Sequence, residues 1–136
     1  MTEKISIQPL PVTEEHLPTR RIVQPRGELA LIEHAGEFKT LTYFSIRKGA
    51  GYFRGAHYHR KKLEHLYIIA GRLRLVFVDL DSAESSDIEV KAGNKITIHP
   101  GCAHRLDALD EAVHVLEYFD MIHDPADDYP FQPLLP

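Results

Sequence analysis

The sequence predicts an all-β fold, a closed barrel or a two-sheet jelly roll. Short β-prone runs recur at near-regular spacing, and Gly, Pro or Asp clusters fall between them. No stretch sustains a long helical period. The expected strands are 28–34, 39–48, 52–59, 65–70, 72–79, 88–91, 95–99, 104–108 and 113–120. Turns are assigned to Gly36, residues 49–51, Gly71, the acidic run 81–87, Gly93 and Pro100-Gly101. Any helix is expected to be one short turn near 12–18 or 124–128. Residues 1–20, with Pro9, Pro11 and Pro18, read as an arm that packs on another subunit or on the barrel. Residues 21–120 form the barrel, and 121–136 an acidic, Pro-containing tail that ends in Leu134-Leu135-Pro136. Apolar residues at both ends imply a homodimer with docked or exchanged termini.

The bulk properties narrow the class. A chain of 136 residues with 43% hydrophobic and 26% charged residues suits one soluble globular domain. A net charge of -4 gives no global basic field for nucleic acid or an anionic membrane. Cys102 is the only cysteine, so an intrachain disulfide and a Cys-based zinc cage are excluded, and it reads as a small semi-buried residue. The start, Met1-Thr2-Glu3-Lys4, lacks the basic-then-apolar order of a secretory signal. No apolar run approaches the roughly 20 residues of a membrane span. A cytoplasmic location is the expectation.

Nine histidines are many for this length, and their spacing carries the argument. His57 and His59 lie two apart, so on a strand both imidazoles share one face. A polar turn, Arg60-Lys61-Lys62, follows, and the next strand opens with Glu64 and closes at Gly71. An antiparallel return can set Glu64 beside the His pair. A fourth ligand is expected from Gly93-Asn-Lys-Ile-Thr-Ile-His99-Pro100-Gly101-Cys-Ala-His104, where His104 begins a strand after a Pro-Gly turn. Three imidazoles and a carboxylate suit a borderline divalent ion such as Zn, Mn, Fe or Ni, with open positions left for a substrate.

These segments resemble the two motifs of the cupin superfamily. The first fits Gly-x5-His-x-His-x(3,4)-Glu-x6-Gly, and the second resembles Gly-x5-Pro-x-Gly-x2-His-x3-Asn with His99 at the first Pro and Ala108 at the Asn. The resemblance spans about 21–119. It implies a double-stranded β-helix (the jelly-roll cupin barrel), commonly a homodimer, with His57, His59, Glu64 and His104 on the metal. A narrower resemblance joins Pro25-Arg26-Gly27-Glu28-Leu29 and Arg54-Gly55-Ala-His57-Tyr-His59-Arg-Lys-Lys-Leu-Glu64 to RmlC-like cupins acting on nucleotide-linked sugars. Among them are dTDP-sugar 3,4-ketoisomerases, and the C-terminal cupin of a bifunctional capsular-polysaccharide enzyme. The Asp124-Pro…Asp128-Tyr129 tail is similar to the latter.

The resemblance implies proton abstraction beside a keto-sugar carbonyl, which needs a base, a proton donor and a stabiliser for the enolate oxygen. In the metal-free ketoisomerases the His-x-His pair is associated with catalysis itself. A ligating nitrogen cannot also be a free base, so His57 and His59 are assigned to metal first. Three further catalytic candidates follow. His99 is an acid or base at the cavity mouth, or else a solvated turn residue. Arg54 lies three before His57, and a bulge near Gly55 would turn it inward, where a guanidinium suits a diphosphate. Tyr118 sits on the last strand with its face undecided, as does Glu117. His65 alternates away from the ligand face, and Arg60, Lys61 and Lys62 read as a solvated loop. The expected function is an epimerase or isomerase of a nucleotide sugar. The alternatives are a metal-dependent dioxygenase or oxidoreductase and a non-catalytic small-ligand-binding cupin.

Overall fold

The computed structural model describes residues 2–134, so part of the apolar chain end, 135–136, lies outside the described residues. It contains strands β1 (Ile5–Pro9), β2 (Arg20–Gln24), β3 (Gly27–Leu31), β4 (Thr40–Arg47), β5 (Phe53–Tyr58) and β6 (Glu64–Ala70). These are followed by β7 (Arg72–Asp79), β8 (Ser85–Lys91), β9 (Asn94–Ile98), β10 (Cys102–Ala108), β11 (Ala112–Phe119) and β12 (Tyr129–Pro130). One sheet has the order β1-β9-β6-β11-β4 and the other β12-β5-β10-β7-β8, all neighbours antiparallel. They face each other as a jelly roll, and β2 and β3 form a separate hairpin. The expected short turn appears as a 3₁₀ turn at Pro125–Asp127, joined by a second at Gln132–Leu134. Among the described residues no helix is long and apolar enough to cross a membrane.

Strand alternation builds the core. Ile96 and Ile98 of β9, Leu66 and Ile68 of β6, and Val113 and Val115 of β11 point inward from the first sheet. Leu73, Leu75 and Phe77 of β7 and Leu106 of β10 meet them from the second. Each side chain of this kind stabilises the fold by roughly 1.5–3 kcal/mol on full burial. The interior is graded. Along β6 it runs Glu64, Leu66, Ile68, along β10 His104, Leu106, Ala108, and along β11 Glu117, Val115, Val113. The antiparallel register gathers the polar members at one end of the barrel and the apolar members at the other. Gly71 carries the chain from one sheet to the other with φ 86°, and a Cβ there would stand 2.6 Å from the Ala112 carbonyl oxygen.

The arm expected at 1–20 is not wholly irregular. Ile5-Ser-Ile-Gln-Pro9 alternates with period two, buries Ile5, and adds β1 to the edge of the first sheet through β9 of the same chain. Pro9 is tolerated because it is the last residue of an edge strand. Thr2 and Lys4 then bind Asp79 at the end of β7, with Thr2 Oγ1 donating to Oδ2 and Lys4 Nζ 2.7 Å from Oδ1.

Candidate functional site

The polar end of the barrel is assembled by three strands. His57 faces inward from β5, Glu64 opens β6, and His104 stands in β10 directly opposite His57. His59 follows immediately after β5. A bulge sets this register: His57 pairs with His104 and Gly55 with Arg105, so Ala56 is the extra residue. Gly55 and Ala56 have φ of 88° and 59°, and a Cβ on Gly55 would lie 2.7 Å from the His104 carbonyl oxygen. The extra residue turns Arg54, paired with Leu106, to the same side as His57. The bulge anticipated from the Arg54–His57 spacing is therefore present.

One ligating atom from each of His57, His59, Glu64 and His104 lies within 4.8 Å of the others. The outer nitrogens are tied down. His59 Nδ1 donates to the Asp127 carbonyl, and His104 Nδ1 donates to the Cys102 carbonyl at 3.0 Å. Asp128 Oδ1 stands 2.9 Å from Nδ1 of His57. The two hydrogen bonds fix the tautomer of His59 and His104 in which Nε2 is the free ligating atom, and the carboxylate beside His57 Nδ1 favours a proton there. Glu64 lies between, with Oε1 2.7 Å from His59 Nε2 and Oε2 3.2 Å from His104 Nε2.

The electrostatics demand positive charge at this point. With Nδ1 donating, a neutral His59 presents a bare lone pair at Nε2, and this buried atom has no hydrogen-bond partner among the described residues although a carboxylate oxygen faces it. Either a proton on the imidazole or a cation relieves that opposition. Burial works against protonating His59, but the Glu64 carboxylate outweighs it and raises the pKa. For His57 burial and the two neighbouring imidazoles act together and push the pKa down to about 4, so it is neutral near pH 7. Burial alone would raise Glu64, yet His104 and His59 hold it well below its usual range. Three nitrogen donors and an ionised carboxylate fit a divalent metal by donor chemistry and by the orphaned Nε2.

Beside these residues opens a cavity of about 260 Å³, whose walls include Arg54, Phe44, Lys62, Glu117, His123 and Asp128. Glu117 faces it from β11, and burial together with the Glu64 charge pushes its pKa up to about 7. Lys62 does not lie in a solvated loop as expected. It is 4% exposed, with its ammonium 4.2 Å from the Phe119 ring centroid and 3.9 Å from Glu64 Oε1. Arg60 remains exposed, over the Tyr129 ring. Lys62, Glu117, Asp127 and Asp128 are the members of the site that local sequence pattern did not assign.

Two expected catalytic residues lie elsewhere. His99 is exposed just beyond β9, where its backbone N–H donates to the Lys4 carbonyl, and it follows the inward-facing Ile98, so alternation turns its side chain outward. Tyr118 alternates with Glu117 and therefore occupies the outer face of β11, where its hydroxyl donates to Glu33 at 2.7 Å and its ring stacks on His65. His65 is on that outer face, as alternation required, and is partly covered by Tyr118 and hydrogen-bonded to Thr97.

Comparison with known proteins agrees with this architecture. Residues 23–129 match the family model described as the polysaccharide biosynthesis C-terminal domain. No curated protein sequence matches the chain. Among solved structures, it is similar to a sugar 3,4-ketoisomerase from Thermoanaerobacterium thermosaccharolyticum in complex with TDP, with TM-score 0.77, 18% identity, and 98% and 92% of the two chains covered. A TDP-quinovose 3,4-ketoisomerase from Campylobacter jejuni gives TM-score 0.73 at 18% identity, covering 94% and 93%. The dTDP-6-deoxy-D-glucose-3,5-epimerase RmlC from Legionella pneumophila gives 0.68 at 15%, covering 96% and 81%. The fold is thus the RmlC-like cupin barrel.

Proposed function

Because the chain belongs to the polysaccharide biosynthesis C-terminal domain family, we propose that it isomerises or epimerises a nucleotide-linked keto sugar, with a divalent metal on His57, His59, Glu64 and His104. The observation that carries this reading is the joint geometry of one cavity. Three inward imidazole nitrogens and a carboxylate stand beside a second carboxyl, Glu117, which no side-chain hydrogen bond holds among the described residues. A metal there, Zn, Mn, Fe or Ni, would supply positive charge for a carbonyl oxygen.

The chain's own residues account for the rest. Glu117 lines the cavity with its carboxyl free of side-chain hydrogen bonds among the described residues, and burial raises its pKa, so it is suited to take a proton from the carbon next to a carbonyl and to return one. Arg54 lines the same cavity and offers a planar guanidinium to a diphosphate. Lys62 adds fixed positive charge at the inner wall. The family match, and the likeness to solved structures in complex with TDP or a dTDP-keto sugar, support the isomerase or epimerase part of this reading over the oxygenase and ligand-storage alternatives.

A metal-free version of the same reaction is favoured by one observation, the carboxylate of Asp128 behind His57 Nδ1, which would make that pair an acid–base couple. The test is deuterium exchange from D₂O into TDP-4-keto-6-deoxyglucose, followed by NMR, before and after chelation. Exchange that stops on chelation and returns with added metal supports the metal reading. Exchange that survives chelation assigns the chemistry to the His57–Asp128 couple. Absence of exchange with this and other nucleotide-linked keto sugars sinks the isomerase proposal.

A further inference from the structure

The residues after the barrel form a strap that reaches back to the site. From Asp124 the chain makes the 3₁₀ turn and lays β12 along β5, with Tyr129 opposite Tyr58 and Pro130 opposite His57. Tyr129 stacks on Tyr58 at 5.1 Å, and Arg60 caps the Tyr129 ring at 4.4 Å. Two consecutive residues of the strap then meet two imidazoles. The Asp127 carbonyl accepts from His59 Nδ1, and the Asp128 carboxylate faces His57 Nδ1. The Asp127 side chain, 2% exposed, accepts from the backbone N–H groups of Arg60, Lys61 and Lys62 at 2.8 to 3.2 Å. It thereby fixes the loop that joins the His-x-His strand to the Glu64 strand. His104 owes nothing to the strap, because its Nδ1 is held by Cys102 of its own strand.

We infer that Asp127 and Asp128 are positioning residues, and that the strap 124–131 aims the Nε2 atoms of His57 and His59 into the site while His104 is aimed by the barrel alone. The inference deepens the metal-site reading and rests on it for its consequence in affinity. The aiming itself is observable without metal. The Asp128 carboxylate acts on His57 by its charge, at 2.9 Å from Nδ1, where the Asp127 carbonyl holds His59 by a hydrogen bond. Strap docking and metal binding are then reciprocal: whatever favours one favours the other by the same factor.

The experiment uses the full chain and three variants, Asp127→Ala, Asp128→Ala and the conservative Asp128→Asn. Imidazole tautomers are read by ¹⁵N NMR in the metal-free protein, and Zn affinity by competition with a chromogenic chelator. In the parent all three histidines are expected to carry a proton on Nδ1, whatever the protonation of Nε2 beside Glu64. Asp128→Ala releases His57 alone, Asp128→Asn retains it, and Asp127→Ala releases both His57 and His59. His104 stays fixed throughout and serves as the internal reference for an intact barrel. Zn affinity falls about 10–100-fold wherever a histidine is released, the usual effect of losing an outer partner. If His57 keeps its tautomer in Asp128→Ala, the strap does not aim it and the inference is overturned. This holds even where Asp127→Ala fails to fold. If the parent binds no Zn, the metal reading fails separately, and the tautomers still decide whether the strap positions the rings.

Discussion

Glu64 and His65 are neighbours in sequence and stand on opposite faces of β6, one toward Glu117 and the histidines, the other against Tyr118. That contrast makes a matched test. Replacing His57 or His104 by Ala removes a ligand and is expected to lower Zn occupancy after dialysis at least as far as the roughly 10–100-fold affinity cost of an outer partner. His65→Ala should leave occupancy nearly unchanged by elemental analysis, and loss of metal in that variant alone would show the assigned register to be wrong. Glu117→Gln should keep the metal and slow solvent exchange into the keto sugar by about 10²–10⁴-fold, the range for a general acid–base. The grouping of His57, His59, Glu64 and His104 was legible because each follows from alternation within a few residues of a turn. Lys62 was not, because Phe119 and His123, which meet its ammonium, come from the far end of the chain, and Asp127 was not, because the backbone groups that occupy it lie 65 to 67 positions away.

At the level of elements, the strands from β3 to β11 were legible in the alternation and the glycine-marked turns, except that β8 begins at Ser85, inside the acidic run read as a turn, and β2 was not assigned. β1 was hidden by its prolines, and β12 is two residues long, too short to show a period. The bulge in β5 is the local feature on which the site geometry depends. Gly55→Ala would force a Cβ into the His104 carbonyl at a backbone angle side chains rarely adopt. The expected loss is about 1–3 kcal/mol in urea unfolding. Zn binding should weaken as well, since His57 and His104 face each other across the same bulge. A stable variant with unchanged Zn affinity would show that the bulge does not set the site.

For the whole molecule, the Lys4 ammonium and the Thr2 hydroxyl hold the Asp79 carboxyl below its usual range and pin the N-terminal strand to the second sheet. In acid the native state therefore binds fewer protons than the unfolded chain. The anchor is complete above about pH 5 and fades as the pH falls below the unfolded carboxyl value. Asp79→Asn should lower Tm at neutral pH, and the gap to the parent should narrow as melting curves are taken from about pH 5 toward about pH 2. A gap that stays constant with pH would mean the charge is not the source. The β2–β3 hairpin leaves Leu29 and Leu31 exposed on one face, with Ile22 opposite Leu29, outside both large sheets. An apolar face of that kind favours self-association. Light scattering is expected to give twice the 15.5 kDa chain mass, and a monomer would leave the hairpin free for another partner.

The strand order of the first sheet, β1-β9-β6-β11-β4, contains no pair of strands consecutive in the chain. Ile5 waits for Ile98, and Thr40 waits for Phe119. During synthesis, at about 5–20 residues per second, β4 has no partner until the end of β11 has emerged. The loop-closure entropy of these distant pairings is spent before any contact repays it, which sets folding in the slow, millisecond-to-second regime. The nascent chain thus carries unpaired apolar strands until β11 is made, and surface of that kind is prone to aggregate before it is buried.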